Sequence, residues 1–274
     1  MIAPQRAPLR TVAQWVVARL ATRLPRACAP SRVRARSIRP VQSIGLLLAA
    51  LLLLSACEQK GPEGDGFFPL AGGHRWVYSA TRHFEGTKSL TDELVIETRG
   101  PEEVVGEQAW KRRTNTGASY WLRADETGIY RVASRHALDL DRARDDPVHF
   151  VLKRPFEVGT EWRVATTSYM LERRNAVPRH VSTTHKRFPM DYRIAALDAV
   201  VEVPAGRYEG CIHVEGVAHI RVYVDAAFGW RQMPLTSNEW YCRDVGLVKL
   251  VRSEPSPSRF MIGGDYTIEL LAHD

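Results

Sequence analysis

A chain of 274 residues with 45% hydrophobic and 25% charged residues is long enough for one sizeable domain or two small ones. Its net charge of +7 resembles that of a nucleic-acid binder, but the charge is unevenly placed. Nine Arg and no acid lie in residues 1–56, so residues 57–274 carry 29 bases against 31 acids, a net of −2, and lack the positive field that phosphate-backbone binding needs.

The first element is an uncharged run, Ser43–Ala56, preceded by Arg32, Arg34, Arg36 and Arg39. Its 14 residues fall short of the roughly 20 that span a bilayer. They fit the apolar core of a signal peptide with small residues, Ser55 and Ala56, at the cleavage point. Leu54-Ser55-Ala56-Cys57 resembles the lipobox of bacterial lipoproteins, which implies cleavage between Ala56 and Cys57 and acylation of Cys57. Residues 1–56 are therefore read as leader. Residues 1–32, with an amphipathic piece at Thr11–Leu24, are read as an over-extended start, because no Met lies between Met1 and Met170. Residues 57–66 follow as the lipidated Cys and a flexible Gly/Pro tether.

Residues 67–274 read as a single β-rich domain. Runs such as RWVYSAT, DELVIET, SYWLRA, GIYRVA, EWRVATTSYM, VVEVP, CIHVEG, HIRVYV, GLVKLV and DYTIELL are rich in β-branched and aromatic residues and separated by Gly, Pro and Asp. Their spacing leaves no room for helical crossovers, which predicts antiparallel meanders. Between 212 and 224 the even positions are almost all apolar and the odd ones mostly polar, as for a sheet with one buried face. That run is long for one strand, so Gly216 is expected to mark a bend. Residues 134–149 are charged and read as a loop or short helix, and residues 172–189 as a long basic loop. Cys211 and Cys242 are the pair left after the leader and Cys57 are set aside. In an oxidising compartment they are a candidate cross-strand disulfide, whose loop closure adds about 3 kcal/mol.

Pro69 to Trp76 and Pro155 to Trp162 share the pattern P-h-x-x-G-x-x-W, which predicts two similar turns, each delivering a Trp to the start of a strand. Phe68 to Trp76, Val201 to Tyr208 and Val245-Gly246-Leu247-Val248, together with the lipobox, resemble a widespread group of bacterial lipoproteins without an established activity. The resemblance implies a mainly β fold, a single antiparallel curved sheet or half-barrel like the lipoprotein-carrier folds. It implies no catalytic residues.

For chemistry, His213, Glu215 and His219 share one parity of a strand and form the sharpest candidate metal site. His180 and His185 have no diagnostic spacing. Asp139, Asp141, Asp145 and Asp146 lack the Gly and terminal Glu of a calcium loop. No nucleophile elbow, zinc-protease or phosphate-loop motif is present, and no cofactor is implied. The expectation is a non-enzymatic lipoprotein of the cell envelope, held to a lipid membrane through Cys57 and facing the periplasm. Its β domain is expected to bind a protein partner or an apolar ligand, with Trp76, Trp121, Phe150, Phe156, Trp162 and Tyr169 lining a concavity. The alternative is an envelope hydrolase or a metal-binding protein using His213, Glu215 and His219. Glu58, rather than Asp, after Cys57 favours the outer membrane by resemblance to other lipoproteins.

Overall fold

A computed structural model describes residues 66–174, 187–224, 226–256 and 261–274. The chain divides into two units, Met1–Cys57 and Glu58–Asp274; the first, with the expectations placed on Ala56 and Cys57, lies outside the described residues.

The described residues contain no helix. Fourteen strands follow one another in the chain: β1 (Arg75–Phe84), β2 (Leu90–Val104), β3 (Glu107–Thr114), β4 (Ser119–Asp125), β5 (Gly128–Arg135), β6 (Ala143–Lys153), β7 (Glu161–Thr166), β8 (Glu172–Arg173), β9 (Phe188–Val203), β10 (Gly206–Tyr223), β11 (Trp230–Cys242), β12 (Gly246–Glu254), β13 (Met261–Ile262) and β14 (Gly264–His273). Twelve of them form one antiparallel sheet in the order β6-β5-β4-β3-β2-β1-β14-β12-β11-β10-β9-β7, while β8 and β13 pair separately. The sheet curls until it is nearly a closed barrel, with edge strands β6 and β7 touching but sharing no ladder. The mainly β, curved half-barrel architecture expected from the sequence is the one observed.

Alternation builds the interior. On β11, Met233, Leu235, Ser237, Glu239 and Tyr241 are buried at every second position, and on β10 the buried set runs Ile212, Val214, Gly216, Ala218, Ile220 and Val222. The opening segment Phe67, Phe68 and Leu70 fills the interior against Leu122, Ile129 and Leu152 from one flank and Ile194, Ile212 and Val214 from the other. The Arg112 guanidinium sits 3.9 Å from the Phe68 ring and 4.4 Å from the Trp76 ring and donates to the Pro69 carbonyl. That contact fixes the segment to β3. A second cluster, including Phe188, Met190, Ile220, Val222, Met233 and Leu235, packs between the long strands β9, β10 and β11.

Three local expectations are corrected. Gly216 does not bend the chain: β10 is continuous from Gly206 to Tyr223, and the glycine makes room for the Tyr192 ring, whose Cε1 lies 2.7 Å from where a Cβ would stand. Residues 134–149 are largely strand, the end of β5 and the start of β6, joined by a short turn; their charges face solvent or pair across strands. Within 172–189, Glu172–Arg173 forms β8 and Phe188 already begins β9, while His180 and His185 lie outside the described residues. The two P-h-x-x-G-x-x-W segments behave alike: Gly73 and Gly159 take φ of 97° and 93°, and Trp76 and Trp162 are the second residues of β1 and β7. Cys211 and Cys242 lie on adjacent strands with Cα atoms 4.2 Å apart and sulfurs 1.94 Å apart, joined as a disulfide.

Candidate functional site

The curled sheet borders a cavity of about 820 Å³ that is open to solvent. Its walls draw residues from many strands, among them Tyr120 of β4, Arg131 of β5, His149 of β6, Trp162 of β7, Tyr192 of β9, Glu239 of β11 and Tyr266 of β14. Trp162 and Tyr241 belong both to the cavity wall and to the Phe67–Phe68 cluster, so the same packing that fills one part of the interior shapes the cavity.

Trp162 lies flat on Tyr192, with ring centroids 5.7 Å apart and planes 11° apart. Glu239 is buried beside them and accepts from Ser237 Oγ at 2.9 Å and from the Tyr241 hydroxyl. Burial raises its carboxyl above the ordinary range, against the pull of those two donors and of the Arg252 charge. Burial and then the Glu239 charge push the Tyr192 phenol up, so it stays a neutral hydroxyl.

A second buried carboxylate lies behind Tyr169 of the wall. Glu254, fully buried, accepts from Arg252 Nε at 2.7 Å, from Ser168 Oγ at 2.6 Å and from the amides of Tyr169 and Met170 at 3.0 and 2.9 Å. These bonds fold residues 168–171 into a turn over the sheet and set the Tyr169 ring 4.2 Å from the Arg252 guanidinium. Tyr169 then stands edge-on to Tyr266 at 6.0 Å, half exposed at the cavity wall.

At the seam between β6 and β7, Asp145 accepts two bonds from Arg131, at 2.6 and 3.0 Å, and lies 3.6 Å from Arg187. Arg187 also donates to the Ala165 carbonyl at 3.2 Å. The His149 ring lies near the same carbonyl, and its Nδ1 is buried with no partner among the described residues. Burial, followed by the nearby Arg131 charge, pulls His149 down to about 4, so the ring is neutral at physiological pH.

Of the aromatic residues expected in a concavity, Phe150, Trp162 and Tyr169 line this one. The other three do not. Trp76 is anchored in a separate core with its indole N–H on the Val245 carbonyl at 2.7 Å, Trp121 donates to Glu102 at 2.7 Å, and Phe156 packs edge-on against Phe67. Sequence reasoning missed Tyr120, Tyr192, Tyr241, Tyr266, Arg131, His149 and Glu239. The inward parity of β11 was the signal that would have found Glu239 and Tyr241.

The metal candidate is dispersed by its own neighbours. His213 Nε2 bonds Asn238 Oδ1 at 3.0 Å and its ring stacks on Trp240 at 4.7 Å, Glu215 is paired with Arg193 at 2.8 Å, and His219 is exposed farther along β10. Among the described residues no three His, Cys, Asp or Glu side chains are grouped to hold a metal ion.

No protein-family profile matches the chain, and no curated protein does. Two solved structures are similar to it. A "putative lipoprotein" from Parabacteroides distasonis ATCC 8503 is 14% identical, with 76% of this chain and 98% of that chain covered and a TM-score of 0.34. A "putative exported protein with YmcC-like fold" from Bacteroides fragilis NCTC 9343 is 13% identical, with the same coverage and a TM-score of 0.33. Neither likeness is close enough to carry a property over to this chain.

Proposed function

We propose that this is a lipid-anchored envelope protein, acylated at Cys57 after cleavage behind Ala56, whose β domain binds a small ligand and performs no catalysis. The observation that carries the reading is the cavity. Its volume of about 820 Å³ lies within the range of about 300–1,000 Å³ typical of small-molecule sites, and rings and buried polar groups from many strands converge on it. Two ionisable groups of its wall are engaged by neighbours, Arg131 by Asp145 and Glu239 by Ser237 and Tyr241, rather than arranged as a nucleophile beside its base. The Cys211–Cys242 bridge suits an oxidising compartment, and acylation at Cys57 with two or more chains gives the stable anchoring that a single chain does not. Glu58 favours the outer membrane.

The test is to express the full chain in a Gram-negative host, isolate it from membranes, and analyse it by mass spectrometry before and after organic extraction. The expected result is an N-terminus at acylated Cys57 plus one extracted molecule in near-stoichiometric amount. The Cys57→Ser chain should lose the acyl chains. An unmodified Cys57 overturns the anchor, and protein that carries nothing and shows no saturable binding overturns the ligand.

A further inference from the structure

The two ends of the curled sheet are not alike. Every ladder is antiparallel, so the turns after β1, β3, β5 and β10 share one end with the residues leaving β7 and β12. The chain enters at the other end. There the Gly66 carbonyl accepts from the Asp244 amide between β11 and β12, and Phe67, Phe68 and Leu70 follow into the interior. The cavity belongs to the end away from this entry, where its lining residues Thr116, His136, Thr167 and Tyr169 sit in the connections between strands.

Apolar side chains stand out from that far end. Leu138 and Leu140, between β5 and β6, are 96% and 94% exposed. Their turn is held in shape: the His136 amide donates to the Asp139 carboxylate at 3.0 Å, and the Asp139 amide to the His136 carbonyl at 3.1 Å. Arg135, Arg142 and Arg144 flank the leucines, against Asp139 and Asp141. The connection from β10 carries Phe228, and β11 opens on Trp230, both nearly half exposed. Guanidinium groups stand beside these rings, Arg231 at 6.0 Å from Phe228 and Arg221 at 5.7 Å from Trp230.

A protein partner asks for one contiguous, shape-matched patch, whereas these side chains sit on separate tips. A bilayer interface asks only for apolar and aromatic groups with cations close enough to meet the lipid phosphates. The covalent reach agrees. Gly66 is nine residues after Cys57, a span of at most about 32 Å. The 13 residues of β11 run about 40 Å between the two ends. A barrel lying along the membrane thus touches the bilayer that holds its anchor with its far end as well. Anchoring makes that second contact intramolecular, so a few side chains suffice.

We propose that Leu138, Leu140, Phe228 and Trp230 enter the headgroup region of the membrane that carries Cys57, with the neighbouring arginines on its phosphates and the cavity mouth at the lipid surface. The inference rests on the acylated Cys57 of the reading above and not on the ligand.

The test uses the acylated full chain with Leu138→Cys labelled by the fluorophore bimane, floated in vesicles of equal parts phosphatidylcholine and phosphatidylglycerol. Phosphatidylcholine brominated on its acyl chains should quench the bimane. Quenching should fall at least threefold when Leu140→Ser, Phe228→Ser and Trp230→Ser are combined. Leu140→Ser alone, which removes no packing because the side chain is almost wholly exposed, should lower it at least 1.5-fold. In vesicles without phosphatidylglycerol it should be at least twofold weaker. A bimane that escapes quenching in floated vesicles overturns the contact while the anchor stands. Quenching indifferent to the serines overturns the assignment of the four side chains, and quenching indifferent to lipid charge overturns the part given to the arginines. Dimers cross-linked through unlabelled Leu138→Cys would put a second copy on the tip and also overturn it. A chain that does not float with the vesicles fails the anchor at Cys57 itself, and the contact with it.

Discussion

His149 shows how burial turns an ordinary side chain into a pH-sensitive one. Its folded-state value of about 4 lies below the ordinary 6.5, first because burial disfavours the imidazolium and then because Arg131 repels it. Between those two values the unfolded chain binds a proton that the folded chain refuses. This group's stabilisation is therefore full above pH 6.5, falls as the pH drops through that window, and is lost below 4. The span corresponds to a loss on the order of 3 kcal/mol. The buried carboxyl of Glu239 has the opposite sign, because a raised value contributes stability at low pH that fades as the pH rises. The two effects separate by difference. Denaturant unfolding of wild type and His149→Phe from pH 4 to 7 should show the variant losing less stability on acidification. Parallel curves would mean that the imidazole is not held neutral in the fold. None of this was visible in the sequence, where His149 is one residue in a charged run and its neighbour Ala165 is 16 positions away.

Elements were legible where alternation is uninterrupted. β1, β4, β5, β10, β12 and β14 all coincide with apolar or aromatic runs in the sequence. β3 (EQAWKRRT) and the first half of β6 (ARDDPV) were not, because their charges are matched across strands rather than within them, as Lys111 is with Glu102 and Arg131 with Asp145. The cavity was illegible for a related reason: its lining is gathered from many strands far apart in the chain, so no local motif exists to be read. A glycine in a strand marks either a bend or a close approach, and Gly216 marks the second. It pairs with Tyr192 on β9 and Ser237 on β11, and an added Cβ would lie 2.7 and 2.9 Å from Tyr192 ring carbons. Gly216→Ala should therefore cost about 2 kcal/mol through overpacking. In a Tyr192→Ala background the same change should be nearly neutral, a coupling of at least about 1 kcal/mol in a double-mutant cycle. Additive losses would show that the ring is not what the glycine accommodates.

At the scale of the molecule, the remaining question is what holds a twelve-stranded sheet curled when its two edges share no ladder. Open edges invite pairing with other chains, and Pro147 in β6 already removes one amide donor from this edge. The closure is made by side chains. Asp145 on β6 binds Arg131 on β5 and reaches Arg187 just before β9, and Arg187 bonds the Ala165 carbonyl of β7. Asp145 is 5% exposed and stands at the centre of this set. Asp145→Asn keeps the shape but removes the charge, leaving Arg131 without a carboxylate and Arg187 with only the carbonyl. The expected cost is about 2–3 kcal/mol, below the figure for a fully buried pair because both arginines retain some solvent. Its location is the sharper test. Amide hydrogen exchange in β6 and β7 should accelerate by one to two orders of magnitude, while β10 and β11, joined by ladder and disulfide, keep their protection. Equal acceleration everywhere would mean that the seam does not open apart from the rest of the sheet. Unchanged exchange at β6 and β7 would mean that Asp145 does not hold it shut. Because His149 lies on this seam and also lines the cavity, opening of the seam in Asp145→Asn should weaken retention of the proposed ligand together with edge-strand protection.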